Sequence, residues 1–459
     1  MTLPGSRRRY RVESAGCQMS MHDAERLAGL LEAHGYEAAP EDGAADVVVI
    51  NTCSVRERAE EKLFTRLGEL RLDADHADAV VAVTGCVAQQ EGALLSRRSD
   101  VVDVVVGTQA IKKLPELVAQ AVASRPRRPL VDVSPYDDVS FPLGQVRRAD
   151  PVKAYVTIIE GCDDFCSFCV VPYTRGRERM RPAADVLAEV EEAVATGRRE
   201  VQLLGQIVNH YADPADPTCD FAELLERVAA VPGVDRIRFA SPHPRHVNER
   251  MIRSFDRVQV LARHLHLPVQ SGSTAVLTRM RRRHTRDDYL ALVDRLKASI
   301  PGLTLSTDMI VGFPGETSDD FAQTLSLVER VGYTSIFSFK YSPRPNTLAR
   351  KRLVDDVSEA EKTRRIVELQ QLQKDIQTRL HERAVGTVVE VLVDGESRRR
   401  PHELAGRTSG NTVVNFPGVQ EWVGRFARVL VDRAGPNSLA GHVVEVEHHP
   451  RGPWVPVAQ

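Results

Sequence analysis

Short apolar runs recur through the first 120 residues, separated by stretches whose apolar positions fall at helical spacing. "RYRVESAGC", "ADVVVINTC", "DAVVAVTGC" and "VVDVVVGTQ" read as buried strands, while "MHDAERLAGLLEAHG" and "ERAEEKLFTRLGELR" read as helices. Their alternation predicts a parallel α/β sheet domain over residues 8–123. Three of the runs end in a cysteine, Cys17, Cys53 and Cys86, at intervals of 36 and 33 residues. That is about the length of one strand–helix–strand unit. Each thiol is therefore expected just past the carboxyl end of a parallel strand, where such folds gather their ligand sites.

The pattern lapses in "SRPRRPLVDVSPYDDVSFPLGQVRRADPVK", and residues 124–150 read as a linker. Six further strand candidates alternate with helices over residues 151–383: "AYVTIIEGC", "EVQLLGQIVN", "RIRFASPHP", "HLHLPVQSGS", "LTLSTDMIVGFPGE" and "SIFSFKYSPRP". Each ends in a polar, Gly- or Pro-containing loop, as in a β/α barrel that builds its active face there. Six units predict a partial (β/α)6 barrel with an open side. Beyond the helical "SEAEKTRRIVELQQLQKDIQTRLHERAVG", residues 384–448 carry short β-type runs between glycines and predict a small antiparallel β-barrel.

Charge narrows the partners little. The 459 residues hold 61 basic and 63 acidic side chains, so net charge names neither nucleic acid nor membrane. From Ala384 onward eight arginines stand against eight acidic residues, and only the run Arg398, Arg399, Arg400 hints at RNA. No stretch of about 18 apolar residues occurs, and the basic opening is followed by no apolar signal region. A cytoplasmic protein without membrane contact is expected. Six of the seven cysteines stand in patterned settings, which in a reducing compartment argues for metal binding rather than disulfides.

"GCDDFCSFC" places Cys162, Cys166 and Cys169 directly after the first barrel strand, with no fourth cysteine in reach. Half of a zinc site completed from a distance is one reading; an iron–sulfur cluster with one iron lacking a protein ligand is the other. This CxxxCxxC resembles the motif of the radical S-adenosylmethionine superfamily. The resemblance implies a [4Fe–4S] cluster whose open iron takes the amino and carboxylate groups of S-adenosylmethionine, and cleavage of that cofactor to a 5′-deoxyadenosyl radical.

"GCQMS", "NTCSVRE", "TGCVAQQEG", "EGCDDFCSFCVVPYTRGRE", "LLGQIVN", "HLPVQSGS" and "DMIVGFPGET" together resemble the methylthiotransferases of that superfamily over nearly the whole chain. "GCQM" followed by "HDAERL", and "VVPYTRG", are most similar to the MiaB branch, which acts on isopentenyl-adenosine beside the tRNA anticodon. The resemblance implies a second [4Fe–4S] cluster on Cys17, Cys53 and Cys86 that donates sulfur, and a C-terminal TRAM domain that helps hold tRNA. It also implies a separate electron donor such as flavodoxin or ferredoxin, and a monomeric enzyme. Radical chemistry suits the target, because an adenine C2–H bond is neither acidic nor polarised. Sister enzymes acting on threonylcarbamoyl-adenosine or on a ribosomal-protein aspartate are the nearest alternatives; a non-catalytic iron–sulfur RNA-binding protein is the alternative of another class.

Ser20, Ile207 and Asn346 depart from the family pattern, and Asn346 suits a backbone at positive φ. Gln206, Asn209, Gln270, Ser271, Gly312 and Glu316 lie at strand ends, as S-adenosylmethionine contacts or as turn formers. Cys219 reads as an ordinary thiol near a helix start, and His243 and His246 as structural. "MRRRHTR" (280–286) and "TRGRERMR" (174–181) are either phosphate grips or solvated faces.

Overall fold

The computed structural model describes residues 8–54, 57–76, 78–124, 128–135, 144–398, 400–447 and 454–456. Arg399, the middle of the C-terminal arginine run, lies outside the described residues, as does His448 at the end of the expected C-terminal barrel.

The first domain is a six-stranded, wholly parallel sheet. Its order is Glu37–Ala38, Arg9–Ala15, Val47–Thr52, Val80–Gly85, Val104–Val106 and Leu130–Asp132. Val47–Thr52 and Val80–Gly85 are buried at every position, which is why they read as unbroken apolar runs. Leu130–Asp132 falls inside the stretch read as a linker. It is a three-residue edge strand with partly exposed side chains, too short to show a period.

The second unit has the six expected parallel strands in two triplets. Lys153–Thr157, Glu200–Leu204 and Arg236–Phe239 form one; His264–His266, Thr304–Val311 and Ser335–Lys340 form the other. A parallel bridge from Ile237 to Leu261 links the triplets. The last strand keeps exposed positions, leaving the barrel open on that side. The long helix Glu359–Glu382 packs beside it through Leu369 and Ile376, and Gln373 Nε2 donates to Tyr333 O at 2.9 Å.

Five strands close the C-terminal barrel: Val388–Glu396, Glu403–Thr408, Val413–Pro417, Phe426–Ala434 and Leu439–Glu447. Neighbours pair antiparallel, and a parallel pairing of Val413–Pro417 with Leu439–Glu447 completes the ring. Glu403–Thr408, "ELAGRT", is too polar to read as a strand in the sequence. Three buried arginines of the partial barrel dock this module: Arg199 donates to Gly424 O, Arg236 to Arg407 O and Arg238 to Thr408 O.

The N-terminal domain docks through helix Gln18–Ala33, whose buried polar residues explain "HDAERL". His22 Nδ1 meets Thr157 Oγ1 at 2.8 Å, Arg26 reaches Glu160 at 3.1 Å, and Glu25 accepts from the Ala149 amide at 3.0 Å. Among the described residues no helix is long and apolar enough to cross a membrane.

Candidate active site at two cysteine triads

Strand register brings the first triad together. Ala15, Thr52 and Gly85 are direct partners across three adjacent strands, so Cys17, Cys53 and Cys86 follow in one row at the sheet's carboxyl edge. Cys53 Sγ lies 4.0 Å from Cys17 Sγ. The approach is close enough that side chains on two neighbours are excluded: a Cβ on Gly16 would fall 2.5 Å from that of Cys53, and one on Gly85, at φ +91°, 2.3 Å from Thr52 O. Ser20 Oγ stands 3.6 Å from Cys17 Sγ. Hydrogen bonding to Cys53, and then the Arg175 guanidinium, hold the Cys17 and Cys86 thiols below the usual range; the same thiol contacts push Cys53 up.

The second triad sits in the loop after the first barrel strand. Gly161 has φ +83° and a Cβ there would meet Arg177 O at 2.0 Å, so only glycine fits; Phe165 takes φ +47°, a conformation uncommon for a bulky residue. Asp164 is held by Arg245 at 2.6 Å; His243 Nε2 stands 3.7 Å from it without a hydrogen-bond partner, and burial keeps that imidazole neutral. The Asp164 amide points at Cys162 Sγ at 3.5 Å, and Arg282 Nη1 at Cys166 Sγ at 3.6 Å. Burial pushes the Cys162 and Cys169 thiols up to about 12.

Both donor sets are wholly thiol, the chemistry that suits iron–sulfur clusters. Among the described residues no three His, Cys, Asp or Glu side chains are arranged around a single metal-ion position.

The strand-end candidates divide by what they touch. Asn209 exchanges hydrogen bonds with the His243 backbone, and Ser271 Oγ accepts from the Ser273 amide; Glu316 takes the Gly312 amide at 2.9 Å and Arg365 at 2.7 Å. These three, with Gly312 at φ +70° beneath Lys362, shape loops. Gln270 takes φ +80°, and Gln206 Oε1 is buried without a hydrogen-bond partner. Cys219 is buried beside Asp220, which caps helix Phe221–Ala230.

The two basic runs are more structural than their composition suggests. Arg175 pairs with Asp23, Arg181 with Glu189, and Arg282 with Cys166 and Pro268 O, all buried; Arg177 and Arg283 are exposed. The sequence reading missed Arg175 and Arg282 as neighbours of the thiols. The available signal was their adjacency to the cysteine loop and to the strand-end loop of "PVQSGS".

A parallel-sheet domain, an open six-stranded β/α barrel with CxxxCxxC after its first strand, and a closed five-stranded barrel define a three-part radical S-adenosylmethionine protein. Family models agree: uncharacterized protein family UPF0004 matches residues 9–107, the radical SAM superfamily 156–328 and the TRAM domain 382–444. The tRNA-2-methylthio-N(6)-dimethylallyladenosine synthase of Halorhodospira halophila is 47% identical over 447 residues, covering 96% of this chain and 93% of that protein. The protein of the same name from Alkalilimnicola ehrlichii is 46% identical, covering 96% and 98%. The chain belongs to the tRNA-2-methylthio-N(6)-dimethylallyladenosine synthase family, the MiaB branch of the methylthiotransferases. Among solved structures, the radical S-adenosylmethionine methyltransferase TsrM from Kitasatospora setae shares the fold, with a TM-score of 0.54 at 15% identity over 88% of this chain and 82% of that one.

Proposed function

We propose that this enzyme adds a methylthio group at C2 of isopentenyl-adenosine beside the tRNA anticodon, using two [4Fe–4S] clusters and S-adenosylmethionine. Relatives at 44–47% identity over most of the chain support the reaction. The observation that carries the two-cluster reading is the pair of separate three-thiol sets, each at the carboxyl ends of parallel strands.

Cys162, Cys166 and Cys169 would hold the barrel cluster and leave one iron open for S-adenosylmethionine; Cys17, Cys53 and Cys86 would hold the other. When bound, these groups supply the electron that cleaves the sulfonium and the sulfur that is inserted. The chain's own residues set the geometry. Arg245 fixes Asp164, and with it the turn carrying Cys162 and Cys166. Gln206 Oε1, buried and unpartnered, offers an acceptor to a cofactor ammonium or hydroxyl, and Gln270 turns the barrel rim at the end of another strand. A separate one-electron donor such as flavodoxin or ferredoxin supplies the electron, as the family resemblance implies.

Replacing Cys17, Cys53 and Cys86 together by Ala tests the division of labour. The variant should release 5′-deoxyadenosine yet leave no methylthio-adenosine in tRNA digests analysed by mass spectrometry. Normal amounts of methylthio product would refute a sulfur-donor role for that triad.

A further inference from the structure

The strand Thr304–Val311 differs between its two faces. Leu305, Met309 and Val311 join the core packed by the barrel's helices, whereas Thr304, Asp308 and Ile310 keep exposed area on the opposite, inner face of the barrel. Register carries that inner face to the last strand, where Phe337 is the partner of Asp308 and Phe339 the partner of Ile310. Ile336 and Ser338 turn the other way: Ile336 packs on the core that contains Leu369 of the long helix, and Ser338 Oγ accepts from Gln370 Nε2 at 3.1 Å. We infer that Phe337 is a specificity-determining residue: with Phe339 and Ile310 it forms the wall of the open barrel that takes the isopentenyl group of the target adenosine. The inference rests on the reading of the enzyme as one that acts on isopentenyl-adenosine.

Phe337 is 49% exposed, although its ring stands on the inner face of a barrel. Its aromatic neighbour is His266, with ring centroids 5.7 Å apart and planes at 74°. His266 is itself held, with Nδ1 2.9 Å from Ser306 Oγ and Nε2 3.5 Å from Asp308 Oδ2, and the same Ser306 hydroxyl meets His264 Nε2 at 3.0 Å. These polar side chains engage one another. What the wall presents to an incoming group is aromatic and aliphatic surface beside one carboxylate.

Position along the strand sets the depth of this wall. At the amino end Thr304 Oγ1 donates to Gly410 O at 2.9 Å, so the C-terminal barrel closes the lumen there. Six residues on, about 20 Å along an extended strand, Ile310 packs on the apolar cluster of Phe313 and Tyr341 that also receives Phe168, the residue before Cys169. The apolar part of the wall therefore lies toward the cysteine loop, and the histidines lie deeper. In adenine, C2 and the N6 substituent flank N1 on one edge of the base, so a base that turns C2 toward the radical-generating loop brings its substituent to the neighbouring wall. A branched five-carbon group gains there by leaving water. The threonylcarbamoyl group ends in a carboxylate, which the same wall would desolvate and Asp308 would repel.

The test uses reconstituted full-length enzyme and two anticodon stem-loop RNAs, one with isopentenyl-adenosine and one with plain adenosine at the target position, and measures both dissociation constants at one salt concentration. Wild type should bind the modified RNA at least about tenfold more tightly, Phe337→Ala should bring the two within about twofold, and Phe337→Leu, which keeps apolar volume, should restore a preference of at least about threefold. A wild-type preference retained in Phe337→Ala overturns the role of Phe337. Equal weakening of both RNAs also overturns it, because the ring would then hold the base or the backbone instead of the substituent. A wild-type chain that makes methylthio product on the modified RNA yet binds both RNAs alike overturns the wall and leaves the reaction standing; absence of that product overturns both. Should Phe337→Ala lose its iron, Phe339→Ala should cut the preference at least about threefold, and an unchanged preference there overturns the proposal equally.

Discussion

Arg282 Nη1 lies 3.6 Å from Cys166 Sγ across 116 residues of sequence, while Nη2 of the same guanidinium donates to Pro268 O at 2.7 Å. The barrel triad thus has a buried arginine of its own, as the N-terminal triad has Arg175. Outer contacts of this kind commonly change metal affinity or activity by roughly 10–100-fold when removed. Arg282→Met should therefore slow 5′-deoxyadenosine release by about that factor, measured with a chemical reductant, while the iron on the N-terminal triad remains. A wild-type rate would show the contact to be incidental.

Anaerobically reconstituted protein should bind about eight irons, and the Cys162, Cys166, Cys169 to Ala variant about four. Iron and sulfide analysis decides this directly. One zinc with no sulfide would refute the radical reading.

Gly176→Ala should destabilise the chain by about 1–3 kcal/mol, because a left-handed backbone disfavours Ala and its methyl group would strike Gln109. Urea unfolding measures the loss. Adding Gln109→Ala should restore part of it, since the steric share goes with the amide and the backbone share stays.

Much of this arrangement was legible in the sequence. Continuous apolar runs marked the strands of the parallel sheets, and a cysteine directly after a run is placed by the fold's own topology, so both triads could be located from spacing. What stayed hidden depends on partners far away in the chain. Arg175, Arg181 and Arg282 look like members of solvated basic runs. Arg175 is buried against Asp23, 152 residues away, and Arg282 against Cys166, 116 residues away; Arg181, whose partner Glu189 is only 8 residues on, is the exception. Ser271, Gly312 and Glu316 stand where cofactor contacts are expected; hydrogen bonds within their own loops engage them, and Glu316 also takes one from Arg365 of the long helix. Glu403–Thr408 is a strand because its neighbours on both sides pair with it, not because its residues favour one.

Arg398 and Arg400 offer a cleaner test of tRNA contact than removal of the C-terminal barrel. Deletion would uncover Arg199, Arg236 and Arg238, which dock that module, and so would disturb the catalytic unit as well. Arg398 and Arg400 are exposed, and among the described residues the Arg400 guanidinium meets Glu403 at the surface at 3.3 Å. Replacing both by Ala should weaken tRNA binding and reduce the salt slope by about 2, with cofactor cleavage in the absence of tRNA unchanged. An unaltered slope in a filter-binding titration would place the tRNA elsewhere.

His22 makes the junction between the N-terminal domain and the barrel sensitive to acid. It is fully buried, with Nδ1 at 2.8 Å from Thr157 Oγ1 and Nε2 at 3.3 Å from Glu189. Burial lowers its pKa to about 4, Arg26 and Arg148 add to the effect, and Glu189, itself paired with Arg148 and Arg181, opposes it. The unfolded chain binds this proton near the ordinary histidine value of about 6.5. The neutral side chain therefore contributes stability fully above about pH 6.5, and the contribution is lost as pH falls toward 4, where the folded form also takes the proton. Between pH 7 and 4.5 the loss assigned to His22 is about 2 kcal/mol. Urea unfolding of wild type and His22→Gln at both pH values isolates it, because Gln keeps a polar contact to Thr157 and Glu189 without titrating. Wild type should lose about 2 kcal/mol more than the variant over that interval, and parallel losses would mean that the folded protein binds this proton as readily as the unfolded chain does.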